Sequence, residues 1–258
     1  MARRRAQAAF TIVELAVVMA IIGLLLAGAM MTLTAQAEQR AIDETRRRLN
    51  SAVDALMAYA VVNGRLPCPA APGSSGDEAP TSGSGVCTNP YNGYLPARTI
   101  GFQPTDDAFY GLDAWQNRIR YVVAGVTLAP ACSAGAGATP HFTVALNLKS
   151  NGMSCKPNSA DLDVVCSTAT AGVSPSCNSA QRVVAQQTTA FIVYSIGKNG
   201  PNSGAYGADE TANLDNNATF VNRTWSGSDS TLGAYDDLMV VVPAGVFYSR
   251  LVAAGVLP

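Results

Sequence analysis

The run AAFTIVELAVVMAIIGLLLAG, from Ala8 to Gly28, holds one charged side chain, Glu14. No other feature restricts the fold of this chain as sharply. From Leu15 to Met31 no side chain is charged or strongly polar, and Phe10–Leu33 contains 24 residues. At about 1.5 Å of rise per residue, a helix of that length crosses the roughly 30 Å hydrocarbon core of a bilayer. Arg3, Arg4 and Arg5 precede the run. Basic flanks stay on the cytoplasmic side, so the remainder of the chain is expected on the other. Within that span the carboxylate needs a reason, because an ionised acid is costly in hydrocarbon. A secretory signal peptide ending at Ala35-Gln36-Ala37 would have an apolar region of only about 7–15 residues. A plain signal anchor would tolerate Glu14 near the interface without using it.

The residues around Glu14 offer a third reading. A short basic leader (Arg3–Arg5) and a small residue, Ala9, are followed by Phe10, Thr11, Ile12, Val13, Glu14 and Leu15. A long apolar helix then carries AIIG at Ala20–Gly23. This segment closely resembles the N-terminus of type IV pilins and type II secretion pseudopilins, over about an eighth of the chain. The resemblance implies a leader, residues 1–9, removed by a prepilin peptidase between Ala9 and Phe10. The same enzyme would methylate the new amine on Phe10. Glu14 then lies near the mature N-terminus, where a carboxylate of one subunit can pair with the amine of its neighbour. Neither ion is comfortable alone at low dielectric, and together they are less costly. Such a pair rewards one axial register between helices, so Glu14 is read as an assembly determinant. The implied partners are the peptidase/methylase, other pilins or pseudopilins in a helix bundle, and an inner-membrane assembly platform. The implied location is the inner membrane, crossed once, with the N-terminus cytoplasmic and the head periplasmic, or at the cell surface once assembled. Two departures stand out, the first bearing on how readily the peptidase cuts and the second pointing to a minor subunit. Ala9 stands where the family usually has Gly, and Met31 stands where major pilins commonly carry a Pro that lets the helix melt.

Past Leu33 the helical pattern continues. Ile42, Leu49, Val53, Leu56, Met57 and Ala60 recur at spacings of three, four and seven. Gly64 is a suitable C-cap and Pro67 forbids continuation. One helix is therefore expected over 10–63, with 10–33 in the membrane and an amphipathic second half laid on a globular head. A coiled-coil seam is the alternative for that second half. The head, 65–258, reads as short strands between loops: Ile119–Ala124, Phe142–Leu148, Arg182–Gln186, Ala190–Ile196 and Leu238–Val242. A closing amphipathic helix is expected over Ala244–Ala254. The expected fold class is α+β and pilin-like: a long N-terminal helix packed on an antiparallel sheet, with disulfide-tied loops.

Six cysteines, Cys68, Cys87, Cys132, Cys155, Cys166 and Cys177, all follow the apolar run, and none forms a CxxC. An even number beyond a membrane segment suggests disulfides in an oxidising compartment. Sequence neighbours suggest Cys68–Cys87, Cys132–Cys155 and Cys166–Cys177, among the 15 connectivities that six cysteines allow. Three head segments also look like pseudopilin heads. DAWQNRIRYVV (Asp113–Val123) carries Gln116 where Gly is usual; the others are FIVYSIGKNG (Phe191–Gly200) and YDDLMVV (Tyr235–Val241). In the family this region can hold calcium. Here Asp209, Asp215, Asp236 and Asp237 are the candidate ligands, and the competing reading has these acids capping turns and facing water. No other cofactor is expected.

Enzyme readings find little support. His141 is the only histidine, and no G-x-S-x-G elbow or phosphate-binding glycine loop is present. His141 is expected at the surface or a strand edge, and Trp115 and Trp225 in the core or against the sheet. The adjacent acids Asp236-Asp237 would point to opposite faces of a strand. With a net charge of −1 and no basic stripe, the chain shows no nucleic-acid surface. The rival to a filament subunit is a membrane-anchored periplasmic binding module that does not polymerise. A hydrolase released after Ala37 is a third reading.

Overall fold

The computed structural model describes residues 11–80, 85–124, 141–154, 161–185, 188–200 and 206–257, the side chains of 26–34 excepted. The chain divides into two compact units, Met1–Asp43 and Glu44–Pro258. Helix α1 (Ile12–Asn63) contributes to both. It ends where Gly64 turns left-handed at φ +66°, a conformation that a side chain would strain. Within the second unit Leu49, Ala52, Leu56 and Ala60 are fully buried, a stripe at spacings of three and four. The head itself covers that stripe, which leaves no seam for a coiled coil. Arg48 secures the same stretch of helix. Its guanidinium meets Glu44 at 2.9 Å and donates to the carbonyls of Leu112 and Asp113.

In chain order the head then forms β1 (Gly93–Tyr94), α2 (Ala97–Ile100), β2 (Arg120–Val123) and α3 (Ala145–Asn151). A 3-10 turn (Gly152–Ser154), β3 (Asp163–Val165), β4 (Thr189–Ser195) and α4 (Ala208–Ala212) follow. The chain closes with β5 (Thr219–Val221), β6 (Leu238–Pro243) and α5 (Ala244–Ala253). The main sheet has the order β1-β2-β4-β6 and is antiparallel throughout. Every residue of β4 is buried, so this strand is covered on both faces. Its Phe191 packs edge-on against Tyr121 and Phe247, with ring centroids 6.0 and 6.3 Å away. Such aromatic pairs contribute roughly 0.5–1.5 kcal/mol beyond the area they bury. A separate parallel pair, β3 with β5, was not foreseen from the sequence.

Two expected strands do not form. Phe142–Leu148 alternates like a strand, yet residues 145–151 are helix α3. Leu148 is buried while Leu146 is 73% exposed, and the run starts from a Phe142 carbonyl held by the Leu66 amide at 2.8 Å. Short apolar runs fit either period, and here the anchor at Phe142 decides. Arg182–Gln186 likewise makes no ladder; Arg182 forms one isolated bridge to Val165 and an ion pair with Asp163, and Gln186 lies outside the described residues.

Cys68 is bonded to Cys87 and Cys166 to Cys177, with Cα atoms 5.2 and 5.1 Å apart. Cys132 and Cys155 lie outside the described residues. Between the first pair, Glu78 is gripped by Arg65 at 2.7 and 2.8 Å, by the Tyr59 hydroxyl and by the Cys68 amide. The loop is thus tied to the end of α1 by a covalent bond and a nearly buried ion pair. Replacing Cys68 and Cys87 together by Ser frees a closure of 19 residues. Stability should fall by about 3 kcal/mol, read from the denaturant midpoint and slope together, with a steeper slope because the unfolded chain expands.

Candidate functional site

At the N-terminus the described residues begin at Thr11, so Ala9 and Phe10 lie outside them. Thr11 and Glu14 form a reciprocal cap at the start of α1. The Glu14 carboxylate accepts from the Thr11 amide at 3.1 Å and its hydroxyl at 3.0 Å, and the Glu14 amide donates to Thr11 Oγ1 at 3.2 Å. This is the T-x-x-E capping box, which satisfies helix donors that would otherwise lack partners. The sequence reading gave Glu14 a role only between subunits; the structure adds a local one. Beyond it the apolar side chains from Ile12 to Leu25 stand exposed on all sides, Ile12 at 88% and Leu24 at 77%. Among the described residues no helix is long and apolar enough to cross a membrane. The described side chains of the expected span 10–33 are those of 11–25.

In the head three carboxylates converge. Glu210 on α4 and the consecutive Asp236 and Asp237 before β6 each place an oxygen within 4.8 Å of the others. The expectation that adjacent acids diverge fails here because Asp236 and Asp237 precede the ladder of β6 and lack its pleat. Glu210 is held by the amides of Gly207 at 2.8 Å and Asp236 at 2.7 Å, and by the Asn199 side chain. Asp236 Oδ2 accepts from the amides of Lys198 and Asn199 at 3.0 and 3.1 Å. Asp237 accepts from Asn213 at 2.7 Å. Two buried oxygens of these residues, Asp236 Oδ1 and Asn199 Oδ1, have no donor among the described residues. Gly197, at φ +66°, leaves room for the Asp236 carboxylate, which any Cβ there would overlap.

Electrostatics follow from that crowding. Burial raises the Asp236 pKa to about 6, and the neighbouring Glu210 charge adds to the rise. Burial lifts Asp237 well above the usual carboxylate range, with the Asn213 hydrogen bond opposing. Clustered acids with buried, unpartnered oxygens suit a hard cation with oxygen ligands, and calcium fits this donor set.

The other two candidate ligands lie elsewhere. Asp209 is locked in an ion pair with Arg223 at 2.7 Å, with side chains 2% and 5% exposed. It also accepts from Ser167 and Thr168. Asp215 is exposed and caps its own turn, accepting from the Asn217 amide and side chain. Glu210 was missed because only the short helix α4 turns it and Asp209 toward different partners.

Further corrections concern the ring side chains. His141 is not at the surface or an edge; it is fully buried, its Nε2 lies 2.9 Å from the Tyr248 hydroxyl, and burial lowers its pKa to about 4. Trp225 is 70% exposed and Trp115 half-buried, so Trp225 is not a core residue. Gln116 has φ +69° at the position where the related segment usually has glycine. This explains the family preference, since the left-handed conformation burdens a side chain.

Residues 4–30 match the family model described as the prokaryotic N-terminal methylation motif. That motif is the signature of the prepilin-type cleavage segment of type IV pilins and pseudopilins. No curated protein and no solved structure matches the chain. An N-terminal helix leading into a four-stranded antiparallel sheet, with two disulfides among the described residues, makes the fold α+β and pilin-like. The chain thus carries a prepilin-type N-terminal segment ahead of an α+β head. The motif points to a structural subunit and not an enzyme, to processing by a prepilin peptidase, and to association with other pilins.

Proposed function

We propose that the chain is a minor pilin or pseudopilin, a structural subunit of a type IV pilus or a type II secretion pseudopilus. The match of residues 4–30 to the methylation motif carries this reading. In it, the leader is cut between Ala9 and Phe10 and the Phe10 amine is methylated. The apolar segment 10–33 anchors the subunit in the inner membrane with its N-terminus cytoplasmic, and the head, 65–258, lies in the periplasm. An inner-membrane assembly platform then draws the subunit into a bundle of like helices, where Glu14 meets the amine of a neighbour. Met31, where major pilins commonly carry Pro, supports a minor position. Calcium, held by Glu210, Asp236 and Asp237, steadies the loop that leads into β6.

Mass spectrometry of the mature N-terminus tests the reading. The expected species begins at Phe10 and carries one added methyl group. A chain that keeps Met1 or Ala2 would support the non-polymerising anchored module instead, and one that starts at Glu38 a secreted form.

A further inference from the structure

Two tripeptides of the chain have the form Asn-x-Thr with x other than Pro, Asn217-Ala218-Thr219 and Asn222-Arg223-Thr224. They flank β5, the first running into it and the second following it. Beyond a membrane, such a tripeptide on a surface loop is an acceptor for N-linked sugar. The fold treats the two differently. Asp215, Asn216 and Asn217 form an exposed turn. Asn216 at its tip is left-handed, with φ +61°, which asparagine tolerates. The turn brings its flanking side chains together. Asp215 Oδ1 accepts from the Asn217 backbone amide at 3.1 Å, and Oδ2 from the side-chain Nδ2 at 2.6 Å. Asn217 Oδ1 accepts from the Thr219 amide at 2.7 Å. The side-chain amide therefore curls back along its own tripeptide, with its nitrogen turned to a carboxylate. Asn222, in contrast, is half-buried, and its backbone amide donates to the Val165 carbonyl at 3.0 Å. Two positions before it stands the buried Phe220 in place of an acid. Its neighbour Arg223 is only 5% exposed in the ion pair with Asp209, which pins this second tripeptide to the head.

We propose that Asn217 is a site of N-linked glycosylation, taking an oligosaccharide from an isoprenoid lipid diphosphate carrier under an oligosaccharyltransferase. A carboxamide nitrogen is a weak nucleophile, because its lone pair is shared with the carbonyl. Donating an Nδ2 hydrogen to the Asp215 carboxylate leaves more electron density on that nitrogen. In the transfer, Nδ2 forms a bond to the anomeric carbon of the sugar. The bond from that carbon to the diphosphate oxygen breaks, and its electron pair leaves with the lipid diphosphate. Nδ2 gives up one proton, and Asp215 is in place to receive it. Nothing is oxidised or reduced. The site rests on the periplasmic placement of the head proposed above, and not on polymerisation. A bulky, hydrated glycan here also fixes this turn on a solvent face of any filament the chain enters.

Mass spectrometry of the full-length chain recovered from the cells that make it tests this. The tryptic peptide running from Asn199 to Arg223 should carry the added mass of a sugar chain, and fragmentation should place it on Asn217. Asn217→Gln and Thr219→Ala should abolish the added mass, and Asn222→Gln should leave it unchanged. If Asn217→Gln fails to fold, Thr219→Ser, which keeps the hydroxyl, is compared with Thr219→Ala and should retain the glycan. Asp215→Asn should lower occupancy by roughly tenfold and Asp215→Glu should restore most of it, with both thermal midpoints near that of the parent. An unmodified peptide, a sugar carried on Asn222 or on a hydroxyl instead, or full occupancy in Thr219→Ala would each overturn the site. Full occupancy in Asp215→Asn would overturn the part given to Asp215. A glycan on Asn217 of a chain never cut ahead of Phe10 would overturn the polymer reading and leave this site standing. A bare Asn217 on a chain that begins at methylated Phe10 would do the reverse.

Discussion

Replacing Glu14 by Ala is expected to leave membrane insertion intact and to cut incorporation into filaments by roughly tenfold or more. The structure makes the experiment sharper than the sequence alone would. Glu14 closes a capping box with Thr11, so the Ala variant loses a helix cap as well as a charge. Glu14→Gln separates the two effects, because a glutamine can still accept from the Thr11 amide but carries no charge. If the residue acts by pairing with the amine of a neighbouring subunit, the Gln variant assembles as poorly as the Ala variant. Thr11→Ala, which breaks the box and keeps the carboxylate, should then assemble nearly as well as the parent. The measurement is the ratio of subunit in sheared filaments to subunit in membranes. Should Glu14→Gln assemble normally, the carboxylate serves only to cap α1, and the intersubunit role fails.

Calcium should raise the thermal midpoint of the head at pH 7 by about 5–10 °C over a chelator-treated sample. Ligand at about 100 times its dissociation constant contributes roughly 2.7 kcal/mol, and in a domain of this size each kcal/mol moves the midpoint by about 2–4 °C. The segment from Glu44 onward suffices for the measurement, since the described core runs from Leu49 to Leu257. Glu210→Gln and Asp237→Asn should abolish the shift, whereas Asp215→Asn, which alters only an exposed turn, should preserve it.

Asp236 gives the metal-free head one pH-dependent contribution of defined sign, which the buried His141, with its pKa lowered to about 4, opposes. Asp236 titrates near pH 6 in the folded chain, above its ordinary value of 3.8, so the folded state holds the extra proton between about pH 4 and 6. Its contribution favours folding below that window and is lost as pH rises through 6. Because Asp236 is only partly buried, its own share of that loss between pH 5 and 7 is about 1 kcal/mol or less, read as the difference in pH slope between the parent and Asp236→Asn. The stabilisation by calcium should fade below pH 6 as protons compete for the same oxygens. Identical melting with calcium and with chelator at pH 7 would rule the site out.

What could be read from residues alone was whatever is written locally. A long uncharged run, basic flanks and one acid at a set distance from a small residue define the N-terminal segment without any folding. The α1 stripe, its stop at Gly64, the strand β4 and the closing helix α5 were legible for the same reason, since each follows from a periodicity or a cap within a few residues. Phe142–Leu148 was misread because its short apolar run suits both periods, and the bond from Leu66 to Phe142 that decides between them spans 76 positions. The acidic cluster was half visible. Asp236 and Asp237 were adjacent in the chain, but Glu210 joins them, and Asp209 leaves for Arg223, only when α4 is set beside the approach to β6. The burial of His141 and the exposure of Trp225 are likewise properties of the packed head. Chain-local hydrophobicity and capping suffice to specify helices and anchors. Which oxygens converge, and which strand is left at the border of a sheet, depends on contacts between residues far apart in sequence, and those exist only after the chain has folded.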